Sequence, residues 1–187
     1  MCGWILAVLV VPKTVHTVNS IWHPDFSSLP LSKRRAYGRI QDSLFQCQDA
    51  CIKCLQPIQF RDSNHQVSKE IQLYALTLTG QDGVRAIVYF TRPTGQSLQR
   101  LEYRHRPTDL RTKGVPIGIT SAQFIAPNPK SGEPDSHMFK EAFSARLFLG
   151  STKDDRISGM LVAVFPDSHR SFITGSFKAR LVGIEQP

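Results

Sequence analysis

The chain has 187 residues, 41% hydrophobic and 20% charged, which is the make-up of an ordinary globular domain with room for one real core. That balance excludes wholesale disorder and a polytopic membrane protein. With 23 Lys and Arg against 15 Asp and Glu the net charge is +8, a surplus that favours polyanions as encounter partners without naming one.

Residues 4–11, Trp-Ile-Leu-Ala-Val-Leu-Val-Val, form an apolar run closed by Pro12 and Lys13. It is too short to span a bilayer and suits the apolar region of a secretory signal, although no Lys or Arg precedes it and no A-x-A site follows. A fully buried β-branched strand would look the same. Residues 1–20 are thus expected to be a signal or anchor segment. Residues 21–30, with Pro24, Ser27, Ser28 and Pro30, read as a linker, and residues 31–187 as a single domain. The setting expected from such a leader is secreted or periplasmic, with the cytoplasm as the alternative if the run is a strand.

After the linker, Ser32 can cap a helix that continues until Pro57 stops it. Tyr37, Ile40, Leu44, Cys47, Cys51 and Cys54 recur at spacings of three and four, the seam of an amphipathic helix, so an N-terminal helix is expected over 32–55. From residue 70 the period changes to two. Segments 71–78 and 84–90 flank Gly80-Gln81-Asp82-Gly83, a hairpin signal, with Val84, Ala86, Val88 and Phe90 on one face. A third strand is expected over 98–104, then 115–119 and 122–125, with 126–136 as a proline-broken loop. The pattern closes with strands over 143–149, 157–165 and 173–181, the last with one dry face and one wet face carrying Lys178 and Arg180. The expected fold is mainly β over 70–185, an antiparallel β-sandwich or open barrel of about seven strands with the helix packed on one face or edge.

Two groups of residues carry potential chemistry. Cys47, Cys51 and Cys54 have C-x3-C-x2-C spacing, which resembles the cluster motif of radical S-adenosylmethionine enzymes over eight residues. That resemblance would imply three thiolates on an iron-sulfur cluster. Lys53 stands where an aromatic usually precedes the third cysteine, and the β-rich remainder lacks the alternating helices of that family. Zinc would need a fourth ligand, for which His65 is the candidate, so no cofactor is expected beyond this zinc option. Read by period alone, the trio is the buried seam of the helix, reduced inside a cell or linked by disulfide outside it. Asp167-Ser168-His169 has the residue types of a hydrolytic triad, but neighbours in a turn point apart and the group reads as turn chemistry.

The second group is basic. Between residues 92 and 113, Arg92, Arg100, Arg104, Arg106, Arg111 and Lys113 outnumber Glu102 and Asp109. On an edge strand over 98–104, Arg100 and Arg104 would project together, with Arg106 and Tyr103 beside them, as a patch for phosphate, sulfate or carboxylate. Lys33-Arg34-Arg35 is a further basic cluster, and charge on an edge also serves to discourage strand pairing. Together these features point to a non-catalytic binding or structural module outside the cytoplasm with a basic surface for an anionic partner, a polyanion or another protein. The membrane would be met only through the N-terminal segment. An intracellular nucleic-acid-binding protein is the rival reading, and a metal or redox protein built on the cysteines is a third.

Overall fold

A computed structural model describes residues 31–61, 67–107, 117–128, 131–140 and 142–184. The expected leader (1–20), the linker (21–30) and His65 lie outside the described residues. The molecule is mainly β, as its period-two segments require. It is built from β1 (Tyr37–Ile40), β2 (Ser43–Gln46), β3 (Asp49–Arg61), β4 (Val67–Thr79), β5 (Arg85–Pro93), β6 (Leu101–His105), β7 (Gly118–Pro127), β8 (Pro134–Phe139), β9 (Ser144–Lys153), β10 (Arg156–Val164) and β11 (Phe172–Val182).

These strands form one open, mixed sheet in the order β6-β9-β10-β11-β3-β4-β5-β7-β8, with β1 paired to β11 and β2 paired to β1. Every ladder is antiparallel except β11 with β3, where Arg180, Leu181 and Val182 run parallel to Cys51, Ile52 and Lys53. The sheet curls until β6 lies against β7, although no ladder joins them. One face therefore wraps a single core containing Ile52, Leu76, Phe90, Phe124, Leu147, Ile157, Leu161 and Phe165. The opposite face of β6, β9, β10 and β11 looks outward.

No helix occupies 32–55; the segment holds β1, β2 and the first half of β3. The reason is readable in local chemistry. Gln41, in the left-handed region at φ 52°, forms with Asp42 a two-residue turn that pairs β1 with β2, Ile40 opposite Ser43. Gly38 is buried where β1 crosses the backbone of β11, a contact that only a residue without a side chain allows. Ala36, Gly38 and Ile40 are buried while Tyr37 and Arg39 are exposed, a period of two that small residues conceal. Leu44, a member of the expected seam, is 85% exposed. Pro57 does not stop a helix; it sits at the irregularity between Cys54 and Pro57, where a strand tolerates the missing donor.

Other differences are smaller. The loop expected over 126–136 contains the start of β8, an edge strand that opens on Pro134 and pairs with β7. Of the expected segment 115–119, Gly118 and Ile119 belong with 122–125 to one strand, β7, with a register shift opposite Tyr89 and Phe90. The turn at Asp154 and Asp155 is formed by two positive-φ residues, 51° and 56°, which Asp tolerates better than most side chains.

Candidate functional site

The strand period sorts the predicted residues onto two faces. On β6, Leu101, Tyr103 and His105 are half-buried toward the core, while Glu102 and Arg104 are exposed. Arg100 does not belong to the strand: it adopts φ 55° in the preceding turn, where its N–H donates to the Gly150 carbonyl at 3.1 Å. The expected projection of Arg100 with Arg104 is thus corrected by the start of β6 at Leu101. Arg106 lies just past β6 and is exposed.

Arg104 is engaged by its own strand. Its Nε and Nη2 each donate to Glu102 Oε1 at 2.8 Å, and Arg146 Nε donates to the same oxygen at 2.9 Å from the facing position of β9. The hydrogen bond from Arg104, aided by Arg146, holds the Glu102 carboxyl below the usual carboxylate range. One carboxylate shared between two guanidiniums leaves a positive excess on this outer face.

That excess grows across the sheet. The β9–β10–β11 register aligns Phe148, Met160 and Ser176 on the outer face and sets Ser158 beside Lys178 and Arg156 beside Arg180. A groove of about 560 Å³ follows these residues, lined by Arg35, Asp49, Phe148, Arg156, Met160 and Lys178 among others. Arg35 is steered into the wall by donating to the Gln48 carbonyl. Asp49, the acidic residue of the lining, lies 3.8 Å from Arg180. Arg156 and Lys178 remain exposed, and both also line a smaller depression with Lys153 and Asp154. The site thus offers guanidinium and ammonium donors around a half-buried Phe-Met floor, a combination suited to an anionic group with some apolar body.

The cysteines do not converge. In a strand rising ~3.3 Å per residue, Cys51 and Cys54 stand about 10 Å apart on opposite faces. Cys51 lies opposite Thr77 and Cys54 opposite Tyr74. Cys47 precedes the strand, buried, with its thiol donating to the Asp49 carbonyl at 3.3 Å. All three are free thiols, and no group of three His, Cys, Asp or Glu residues among the described residues could hold a metal ion. The shared helical seam on which a cluster or Cys3His set would rest is absent, so the trio is not assembled by this fold.

Burial pushes the Cys47 thiol up, more than the nearby Arg35 pulls it down. The unfolded chain therefore ionises first: this contribution to stability is full below the ordinary thiol pKa and is lost as pH rises through the folded value. Alkylation by iodoacetamide followed by mass spectrometry should label half-buried Cys51 well before Cys47. Equal rates at the two would contradict the placement of Cys47 beneath Asp49.

Two residues of the groove were visible in sequence only as ordinary polar content. Lys178 belongs to the wet face of the last strand and Arg35 to the basic cluster, but nothing short of the β10–β11 register brings them together with Arg156. Among the described residues no helix is long and apolar enough to cross a membrane. Comparisons with protein families, with curated proteins and with solved structures find no match to this chain.

Proposed function

We propose that the chain is a non-catalytic binding module whose outer β6–β9–β10–β11 face takes an anionic partner. The observation that carries this reading is the groove in which Arg35, Arg156 and Lys178 gather over Phe148 and Met160 with Asp49 as its acidic neighbour. Arg104 and Arg146, sharing Glu102, extend the positive field along the same face. The net charge of +8 adds long-range attraction to the local one. The apolar run at residues 4–11 supports an extracytoplasmic setting for the module.

The Tyr103 ring packs 5.8 Å from Phe90 on the core side, which favours the anionic-partner reading over one that stacks bases on that ring. The anionic-partner reading needs no exposed aromatic platform.

Heparin is a suitable probe. The intact chain should bind it with an affinity that falls linearly on a log-log salt plot. Replacing Arg156 and Lys178 together by Glu should weaken binding by about a hundredfold or more, each charge-assisted contact being worth ~1.5–3 kcal/mol and each ~1.4 kcal/mol being tenfold. Arg85→Glu, on exposed β5 surface, should cost far less for a similar change in net charge per residue. Equal losses from the two surfaces would show that only net charge matters and would remove the groove from the account.

A further inference from the structure

The curled sheet leaves three strands, β2, β6 and β8, with a partner on one side only among the described residues. An unpaired edge invites another chain to add a strand, and proteins blunt such edges with charge or proline. β6 carries Glu102 and Arg104, and β8 opens on Pro134 and Asp135. β2, Ser-Leu-Phe-Gln, has neither device. Its backbone is open in a defined way. Ile40 faces Ser43 across the two-residue turn, and a pair that closes such a turn is hydrogen-bonded. The Cys47 N–H, donating to the Ala36 carbonyl at 2.8 Å, keeps the same alternation at the far end. Leu44 and Gln46 therefore turn their N–H and C=O groups to the free side.

The side chains beside that edge indicate what it receives. Tyr37 and Leu44, 41% and 85% exposed, stand diagonally on one face of the hairpin, since Tyr37 pairs with Gln46 and Arg39 with Leu44. Two large apolar side chains thus meet solvent next to open backbone donors and acceptors. Charge selects the occupant. The exposed Lys33, Arg34, Arg35 and Arg39 lie on or just ahead of the hairpin, against Asp42 at its turn, which His169 Nδ1 meets at 3.0 Å. Arg35 and Arg39 donate to the carbonyls of Gln48 and His169, neutral acceptors that leave the positive charge in place. A second copy is a poor fit. It carries the same +8, and a four-residue edge falls well short of the about 1,000 Å² that a stable interface buries. We infer that β2 receives an extended acidic segment of a partner protein, which adds a strand through the backbone groups of Leu44 and Gln46 and sets an apolar side chain against Leu44 and Tyr37.

This edge is separate from the groove of Arg156 and Lys178, and its test reports on the two independently. The probe is a Glu-Val-Glu-Val-Glu-Val peptide titrated into the intact 15N-labelled chain. Saturable amide shifts should centre on Leu44 and Gln46. The fully N-methylated peptide keeps the charge and the side chains but loses its backbone donors, so it should bind at least about tenfold more weakly. A Lys-Val-Lys-Val-Lys-Val peptide should also bind more weakly, because its charge is repelled. Leu44→Pro removes an outward N–H and no ladder bond; it should weaken the acidic peptide and leave heparin affinity unchanged. The N-methyl comparison needs no variant, so it decides the matter even if L44P does not fold. Equal affinity of the N-methylated peptide, or shifts centred on Phe148, Arg156 and Lys178, overturns the proposal and leaves the groove standing. Leu44 and Gln46 amides already protected from exchange in the free chain would show the edge covered by a second copy or by the chain itself, and overturn it too. Loss of heparin binding alone bears only on the groove.

Discussion

Gly38→Ala should destabilise the protein by at least about 3 kcal/mol, the upper end of what overpacking a core ordinarily costs. A Cβ at this position would stand 1.9 Å from the Phe172 carbonyl oxygen and 2.9 Å from the Ile173 Cα. Both obstacles are backbone, so no side-chain rotation relieves them. The strands must separate, and the Gly38–Ile173 and Arg39–Phe172 pairings that bind β1 to β11 are lost with them. Urea unfolding followed by circular dichroism measures the effect. Gly83→Ala is the comparison: nothing lies within 4 Å of its Cβ, and only the backbone strain of φ 75° applies, worth ~1–2 kcal/mol. A Gly38→Ala cost no larger than that of Gly83→Ala would mean that β1 does not cross β11 as described.

Phe124→Ala should cost about 3–5 kcal/mol, the range for removing a buried aromatic. Phe124 is fully buried on β7 and meets three rings: His137 at 4.9 Å, Phe139 at 5.5 Å and Phe165 at 5.4 Å, the last edge-on. Phe139 in turn packs 5.4 Å from Phe165. The cluster ties edge strand β8 to the chain leaving β10, two regions that share no ladder. Its loss should therefore show twice: as a lower urea midpoint, and as faster amide exchange in β8 than in the β9–β10 hairpin. A truncation cost under ~1 kcal/mol would place Phe124 outside the core.

How far the fold could be read ahead depended on side-chain size. Phe172–Val182 announces itself because Ile173, Phe177 and Ala179 alternate with Lys178 and Arg180, so apolar and charged residues mark the two faces. Residues 36–54 conceal the same period, because Ala36 and Gly38 occupy the buried positions and leave too little hydrophobic signal. The larger residues Tyr37, Ile40, Leu44 and Cys47 then fall at helical spacing by accident. The true signs were Gly38, unfavourable in a helix interior, and Gln41-Asp42 as a turn.

The sites follow the same logic. Tyr103 and Arg104 are neighbours in sequence and so belong to opposite faces of β6, which separates Tyr103 from the exposed Arg104. Extending the Val84–Ala86–Val88–Phe90 face by one more step would have placed Arg92 half-buried at the end of the core-facing side of β5, a position where an arginine is conspicuous. The outer groove had no comparable sign. Arg35, Arg156 and Lys178 come from separate strands or turns, and only the pairing of β1, β10 and β11 makes them neighbours.

The central claim, that the outer face receives an anionic partner, is tested most directly by mapping a heparin oligosaccharide onto the amide spectrum of the 15N-labelled chain. The account predicts that shifts concentrate at Arg35, Phe148, Arg156, Met160, Ser176 and Lys178 and diminish with added salt. Shifts concentrated instead on the outer positions of β4 and β5, or no saturable shift at low salt, would contradict it.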